Sequence, residues 1–280
     1  MQRFHFGIRW VLLCLFILAA CGGKSAGQDF ENFDADNFDD TVGINNTYFP
    51  LEPGMQLVYE GFTNDDDGNR IARRLIVTVT DLTKVIDGVR SMTSWDQDFN
   101  EDSLVEAELA FYAQDDDGTV WRMGEHPEEY ENGKFVGAPT WIHGIADSIA
   151  GIEMLANPAL ETPSYSQGWA PAVEFTDRGQ VSQTGQEVCV PAGCYENVIV
   201  VDETSKAEPD SHQLKYYAPG VGNIKVDWKG EDQTQETLEL IEIKQLSAEE
   251  LAAARAEALK LEKSAYEKST DVYAKTSPSE

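Results

Sequence analysis

Basic residues are in short supply in this chain: 21 Lys and Arg stand against 50 Asp and Glu, a formal net charge of −29 over 280 residues. A surface of that sign repels phosphate backbones and anionic headgroups, which argues against nucleic-acid binding and electrostatic adsorption to a bilayer. Calcium or a basic partner suits it better, although the same acidity equally serves only to keep an envelope protein soluble. Histidine is scarce as well. Beyond His5 there are His126, His143 and His212, none in an H-E-x-x-H or similar ligand spacing, so exposed or edge-strand positions are expected for them. No G-x-S-x-G elbow surrounds Ser148 or any other serine, and no glycine loop opens a helix to cradle phosphate. Paired carboxylates are too abundant for any two to be assigned to glycoside chemistry. An enzyme is therefore not expected, and an envelope hydrolase ranks third among the readings.

Long apolar runs are missing except at the start. Arg3 and Arg9 precede an apolar stretch from Trp10 to Ala20, the layout of an export signal. The stretch is about half the roughly 20 residues that span a bilayer as a helix, so a permanent transmembrane anchor is not expected. It ends in Leu18-Ala19-Ala20-Cys21, which resembles the lipobox of bacterial lipoproteins. Residues 1–20 are then a lipoprotein signal peptide, and Cys21 becomes a lipidated N-terminus held in the membrane by two or more acyl chains. By resemblance to Gram-negative lipoproteins, Gly22 at the sorting position favours the outer membrane. Loss of Arg3 and Arg9 leaves 19 basic residues against 50 acidic, a net charge of −31.

Cysteine is as sparse. Cys14 leaves with the signal and Cys21 is acylated, so only Cys189 and Cys194 remain. They flank Val190-Pro191-Ala192-Gly193, a turn-forming tetrapeptide that sets two strand ends opposite each other, and in an oxidising compartment they should form a disulfide. A C-x-x-C redox spacing is absent.

From Gly22 to about Thr47 the chain is rich in Gly, Asp and Asn, with Phe30, Phe33 and Phe38 among the acids, and 21–47 reads as a flexible acidic tether. The three phenylalanines alternatively dock on the domain or on a partner. Residues 48–246 read as short strands between strong turns. Leu75, Val77 and Val79 alternate with Ile76, Thr78 and Thr80, and Asp65–Gly68, Asp87-Gly88, Asp115–Gly118 and Asn132-Gly133 supply hairpin chemistry. The expected fold is all-β: a single antiparallel, strongly curved sheet or half-barrel with a C-terminal α-helix. The segment 145–183, with Pro158, Pro163 and Pro171, reads as an irregular excursion. Ser247-Ala248-Glu249-Glu250 is a capping box that should open a helix over 247–268, whose stripe of Leu251, Ala254, Ala258, Leu261 and Ala265 suits a surface helix lying on the sheet. Residues 269–280 are expected to be disordered.

Several segments together resemble a family of uncharacterised bacterial secreted proteins and lipoproteins: Tyr48-Phe49-Pro50-Leu51-Glu52-Pro53-Gly54; Val77–Asp81 with Asp87-Gly88-Val89; Tyr112–Asp115 leading through Gly118 to Val120-Trp121 and Gly124-Glu125; Tyr130-Glu131-Asn132-Gly133-Lys134; Val190-Pro191-Ala192-Gly193; and Lys215-Tyr216-Tyr217-Ala218-Pro219-Gly220-Val221-Gly222. The resemblance implies no established activity. The chain departs from the family's pattern between Ile145 and Arg178. The closing hairpin also resembles those of the curved sheets of Lol-type lipoprotein carriers, which implies a half-barrel with an apolar concave face.

Candidate site residues follow from these patterns. Trp95, Phe111, Trp121 and Trp141 are candidates for an apolar ligand pocket, or else for the core of a β domain. The Asp-rich turns fail the EF-hand test, because placing Gly68 or Gly118 at loop position 6 puts Arg74 or Gly124 where the closing Glu belongs. Asp96, Asp98 and Asn100 place oxygens at alternate positions and are the candidate cation site, with weak calcium as the only cofactor to test. The expected function is a membrane-anchored envelope lipoprotein that binds an apolar ligand or an envelope partner without catalysis. A structural or assembly lipoprotein that docks a partner protein is the alternative.

Overall fold

A computed structural model describes residues 30–39, 42–65 and 67–280. The expected signal peptide, residues 1–20, and Cys21 lie outside these residues.

Seventeen strands and one long helix make up the described chain. The strands are β1 (Ile44–Asn45), β2 (Pro50–Leu51), β3 (Met55–Asn64), β4 (Arg70–Ile86), β5 (Val89–Asn100), β6 (Ser103–Gln114), β7 (Val120–Glu131), β8 (Lys134–Gly137), β9 (Trp141–Ile142), β10 (Ile149–Met154), β11 (Tyr165–Ser166), β12 (Gly168–Trp169), β13 (Arg178–Val190), β14 (Gly193–Thr204), β15 (Ser211–Ala218), β16 (Gly222–Gly230) and β17 (Thr237–Gln245). β1 and β2 form a small ribbon, and the other strands make one antiparallel sheet. Its order is β11, β13, β14, β15, β16, β17, β3, β4, β5, β6, β7, β10, β12, with β8 and β9 also paired to β7.

Turn chemistry sets the register of the central strands. Asp87 and Gly88, at φ 47° and 84°, make the two-residue turn between β4 and β5, and Asn132 and Gly133, at 51° and 72°, join β7 to β8. Two positive-φ residues in a two-residue loop match the right-handed twist of the flanking strands. Glu101 and Asp102 do the same between β5 and β6, at φ 48° and 66°. The sequence pattern had no glycine there to announce a turn.

The sheet is open, yet its two ends lie next to each other in the chain. β11 pairs with β13 and β12 pairs with β10, and only Gln167 separates β11 from β12. The sheet therefore curls until its edges share one short segment. Gly151 of β10 makes the approach feasible, since a Cβ there would stand 2.2 Å from the Gln167 carbonyl carbon and the Gly168 nitrogen. The segment read as an irregular excursion thus carries β10 and the seam, plus a single 3-10 turn at Pro171–Val173.

Helix α1 (Ala248–Lys268) opens on the capping box: the Glu250 amide donates to Ser247 Oγ at 3.3 Å, and the Ser247 amide donates to Glu250 Oε2 at 2.8 Å. Ala254, Ala258, Leu261 and Ala265 are buried against the sheet, and their small side chains let the helix lie close to β4 and β6.

Both ends of the domain differ from the expectation. The segment 269–280 packs. Tyr273 is fully buried, Ser279 donates to Glu262 through its amide and hydroxyl, and Glu280 exchanges backbone hydrogen bonds with Thr83 at 2.8 and 3.1 Å. The tail is ordered because Lys84 and Glu262 are buried and need its polar atoms as partners. Likewise, the described part of the segment read as a tether lies on the domain. Phe33 packs on His143 and Trp121 at ring distances of 4.3 and 5.3 Å, and Gln114 Oε1 accepts from the amides of Asn45 and Asn46. The domain begins before Tyr48, because these phenylalanines cover apolar surface that would otherwise face water.

Candidate functional site

Side chains alternate faces along a strand, so residues i, i+2 and i+4 share one side of the sheet. Leu57 and Tyr59 of β3, Arg73, Leu75 and Val77 of β4, Ser94, Asp96 and Asp98 of β5, Glu106 and Glu108 of β6, and Lys215 and Tyr217 of β15 all line one cavity of ≈ 290 Å³. Arg122 of β7, Glu153 of β10, Val226 of β16 and Leu238 of β17 complete it. Strands distant in the sheet face the same space, which identifies this as the concave side.

The cavity has two kinds of wall. Leu57, Leu75, Val77, Val226 and Leu238 belong to an apolar cluster with Tyr59. The other wall is charged. Arg73 pairs with Asp98 and reaches Glu236 at 3.4 Å. Arg122 bonds Glu125 at 2.8 Å, Glu153 at 3.0 Å and the Tyr112 hydroxyl at 3.2 Å, while Lys215 bonds Glu203 at 2.7 Å. The expected apolar concave face is thus only half realised, because the inward positions of β5 and β6 are acids.

The register of β5 on β6 sharpens this. Asp96 lies directly opposite Glu108, and Asp98 opposite Glu106. Directly opposed residues of one face have Cβ atoms about 4.5–5.5 Å apart, where like charges destabilise the sheet. Burial raises all four carboxyls above the usual carboxylate range: Asp98 reaches about 6 despite Arg73, and Asp96, Glu106 and Glu108 are also raised, with neighbouring acids adding to the effect. Burial has also isolated polar atoms. Among the described residues Ser94 Oγ, Asp96 Oδ1, Asp98 Oδ1, Asn100 Oδ1 and Arg73 Nε have no hydrogen-bond partner.

The residues singled out from sequence fall in several places. Trp95, Phe111, Trp121 and Trp141 do not line the cavity. Phe111 is fully buried beside Tyr273, whose ring centroid lies 6.2 Å away, Trp95 faces Gln56 and the helix, Trp121 lies against Phe33, and Trp141 stacks on Phe175 at 4.8 Å. Phe111, Trp121 and Trp141 are buried packing residues, whereas Trp95 is half-buried and lines a separate depression between the sheet and α1. Asp96 and Asp98 do line it, but Asp98 is engaged by Arg73 and Asn100 is not among the lining residues. Among the described residues no group of three or more His, Cys, Asp or Glu is arranged to hold a metal ion. The Asp-rich turns spend their carboxylates locally: Asp65 accepts from the amides of Asp67 and Asn69, and Asp115 from those of Asp117 and Thr119 and from Trp121 Nε1.

Cys189 and Cys194 form a disulfide directly across the β13–β14 hairpin. His126 is fully buried rather than exposed, with Nδ1 2.7 Å from Thr140 Oγ1. His143 Nδ1 accepts from the Ala150 amide at 2.9 Å, and His212 Nδ1 lies 2.7 Å from Asp202. None of the three lines the cavity. Glu106, Glu108, Arg122, Glu153 and Lys215 escaped the sequence reading. The available signal was acids at i and i+2 in two strands, 96/98 and 106/108, which marks a polar face turned inward.

No protein-family model matches the chain, and no curated protein matches it. Two solved structures resemble it. One, from Bacteroides fragilis, is inferred to be exported and has a YmcC-like fold; it is 14% identical, covers 71% of this chain and 99% of its own, and has a TM-score of 0.43. The other, inferred to be a lipoprotein of Parabacteroides distasonis, is 13% identical, covers 73% of this chain and 100% of its own, and has a TM-score of 0.38. At these values neither assigns a family or an activity to this chain.

Proposed function

We propose that the protein is a lipid-anchored binding protein of the bacterial envelope, tethered at the outer membrane through acyl chains on Cys21, whose concave cavity holds a small ligand with an apolar body. The cavity carries the proposal. Its apolar wall of Leu57, Leu75, Val77, Val226 and Leu238 faces the cavity, whereas Phe111, Trp121 and Trp141 are used up in packing and Trp95 lies outside it. A concave, partly apolar site with a few convergent polar groups is the usual form of a small-molecule site. Binding without turnover is favoured because the three histidines of the domain lie outside the cavity, each engaged elsewhere, and leave the Ser94 hydroxyl without an imidazole base.

Two measurements test the two halves. Native mass spectrometry of the mature lipidated chain, released from nanodiscs without prior delipidation, should show a small-molecule adduct that Leu75→Arg removes; bare protein in every preparation overturns the binding half. For the anchor, among the described residues no helix is long and apolar enough to cross a membrane, and the chain's charge opposes adsorption to anionic lipid. Cys21→Ser should therefore leave the acyl-free protein unable to remain with membranes after a high-salt wash, as judged by fractionation against an unlipidated periplasmic control. Retention equal to the wild type would defeat the anchor.

A further inference from the structure

The binding reading leaves open what the charged wall is for, and the inference here rests on that reading. Three cations face the cavity and all are committed: Arg73 to Asp98 and Glu236, Arg122 to Glu125 and Glu153, Lys215 to Glu203. Asp96, Glu106 and Glu108 have no ion-pair partner among the described residues, although two of them stand directly opposite one another and the third lies one same-face position along. An opposed acid pair opposes folding, and a half-buried carboxylate without a partner opposes it further. A second observation points the same way. Ser94 is 1% exposed and lines the cavity two residues before Asp96 on the same face, and its Oγ has no well-formed hydrogen bond and only the Asp96 carboxylate near enough to offer one; Asp96 Oδ1 is buried and unpaired as well. The site is short of a hydrogen-bonding positive group.

We propose that the cavity recognises an amphipathic primary amine, with its ammonium among Asp96, Glu106, Glu108 and Ser94 Oγ, and its hydrocarbon part on Leu57, Leu75, Val77 and Leu238. An ammonium brings three donors and one charge to groups that lack both. Desolvation and neighbouring acids raise these carboxyls above the usual carboxylate range, so binding of an ammonium among them should be accompanied by proton release. A metal ion fits less well, because no group of described residues is arranged to ligate one and the adjoining wall is hydrocarbon. An anionic head group fits less well still, because every cation in the cavity already has a carboxylate.

The test is calorimetric titration of the mature lipidated chain in nanodiscs with octylamine, 1-octanol and octanoate, with empty nanodiscs subtracted. Octylamine should bind at least tenfold tighter than 1-octanol, and octanoate weakest. Asp96→Asn with Glu108→Gln removes like charge from the site and should leave a folded protein, as judged by circular dichroism, in which the tenfold preference for the amine over 1-octanol is lost. Equal binding of amine and alcohol, tightest binding of octanoate, or an amine preference that survives in the double variant overturns the cation site and leaves the binding reading standing. If none of the three ligands binds, both fall.

Discussion

Lys84 shows how much one residue can decide. Its ammonium is fully buried, bonded to Glu262 at 2.9 Å and to the Ser277 carbonyl at 2.7 Å, and 4.3 Å from the Tyr273 ring centroid. A lysine on a strand reads from sequence as a solvated charge, and nothing local marks it otherwise. Removing one partner of a buried pair leaves the other charge stranded. Lys84→Met should therefore cost about 3 kcal/mol in urea unfolding, and adding Glu262→Gln should recover part of that loss. No loss in the single variant would place Lys84 in water. Asp96 and Asp98 illustrate the opposite case: their alternation was visible in the sequence, and it signalled an inward-facing polar strand rather than a metal loop.

Elements were legible wherever local chemistry fixes them. Ser247 and Glu250 announce α1, and Asp87-Gly88 and Asn132-Gly133 announce their hairpins. Elements that depend on distant partners were not. The tail after Lys268 is polar and Pro-containing, yet Tyr273 docks beneath α1, donates to Glu262 Oε1 at 3.3 Å and meets His126 edge-on at 5.1 Å. Tyr273→Ala should destabilise the domain by about 3–5 kcal/mol, the usual cost of deleting a buried aromatic. A change below 0.5 kcal/mol would show that the tail contributes nothing. At the seam, Gly151→Ala should cost about 1–3 kcal/mol as an overpacking defect and increase amide exchange in β10 and β12. Exchange unchanged in those strands would mean that the two sheet ends do not abut there.

Across the whole molecule, buried acids set a pH dependence of definite sign. Carboxyls whose folded pKa is raised bind more protons in the native state than in the unfolded chain, so their contribution to stability is present below the unfolded values, near 4, and is lost as pH rises through the folded ones. Asp98, at about 6, and the raised Asp96, Glu106 and Glu108 place that loss from roughly pH 5 upward. Glu128 runs the other way. Held down to about 2 by hydrogen bonds from His126, Lys268 and Tyr130 that outweigh its burial, it contributes stability above its unfolded value that is lost on acidification. The melting temperature should therefore peak near pH 5 and fall towards pH 8, with a shallower fall in Asp96→Asn with Glu108→Gln. A flat or rising profile between pH 5 and 8 would contradict the burial of the cluster.

By itself the sequence determined the all-β class, the disulfide between Cys189 and Cys194, the hairpins and the capped helix, because each rests on residues within a few positions of one another. Only the tertiary structure decided which strand faces bound a cavity, which aromatics are spent on packing, and which acids meet across β5 and β6. Those outcomes depend on register and closure, in which strands far apart in the chain, from β3 to β17, are brought to one space by the curl of the sheet. A period-two pattern states that two faces differ; it does not state which face turns inward.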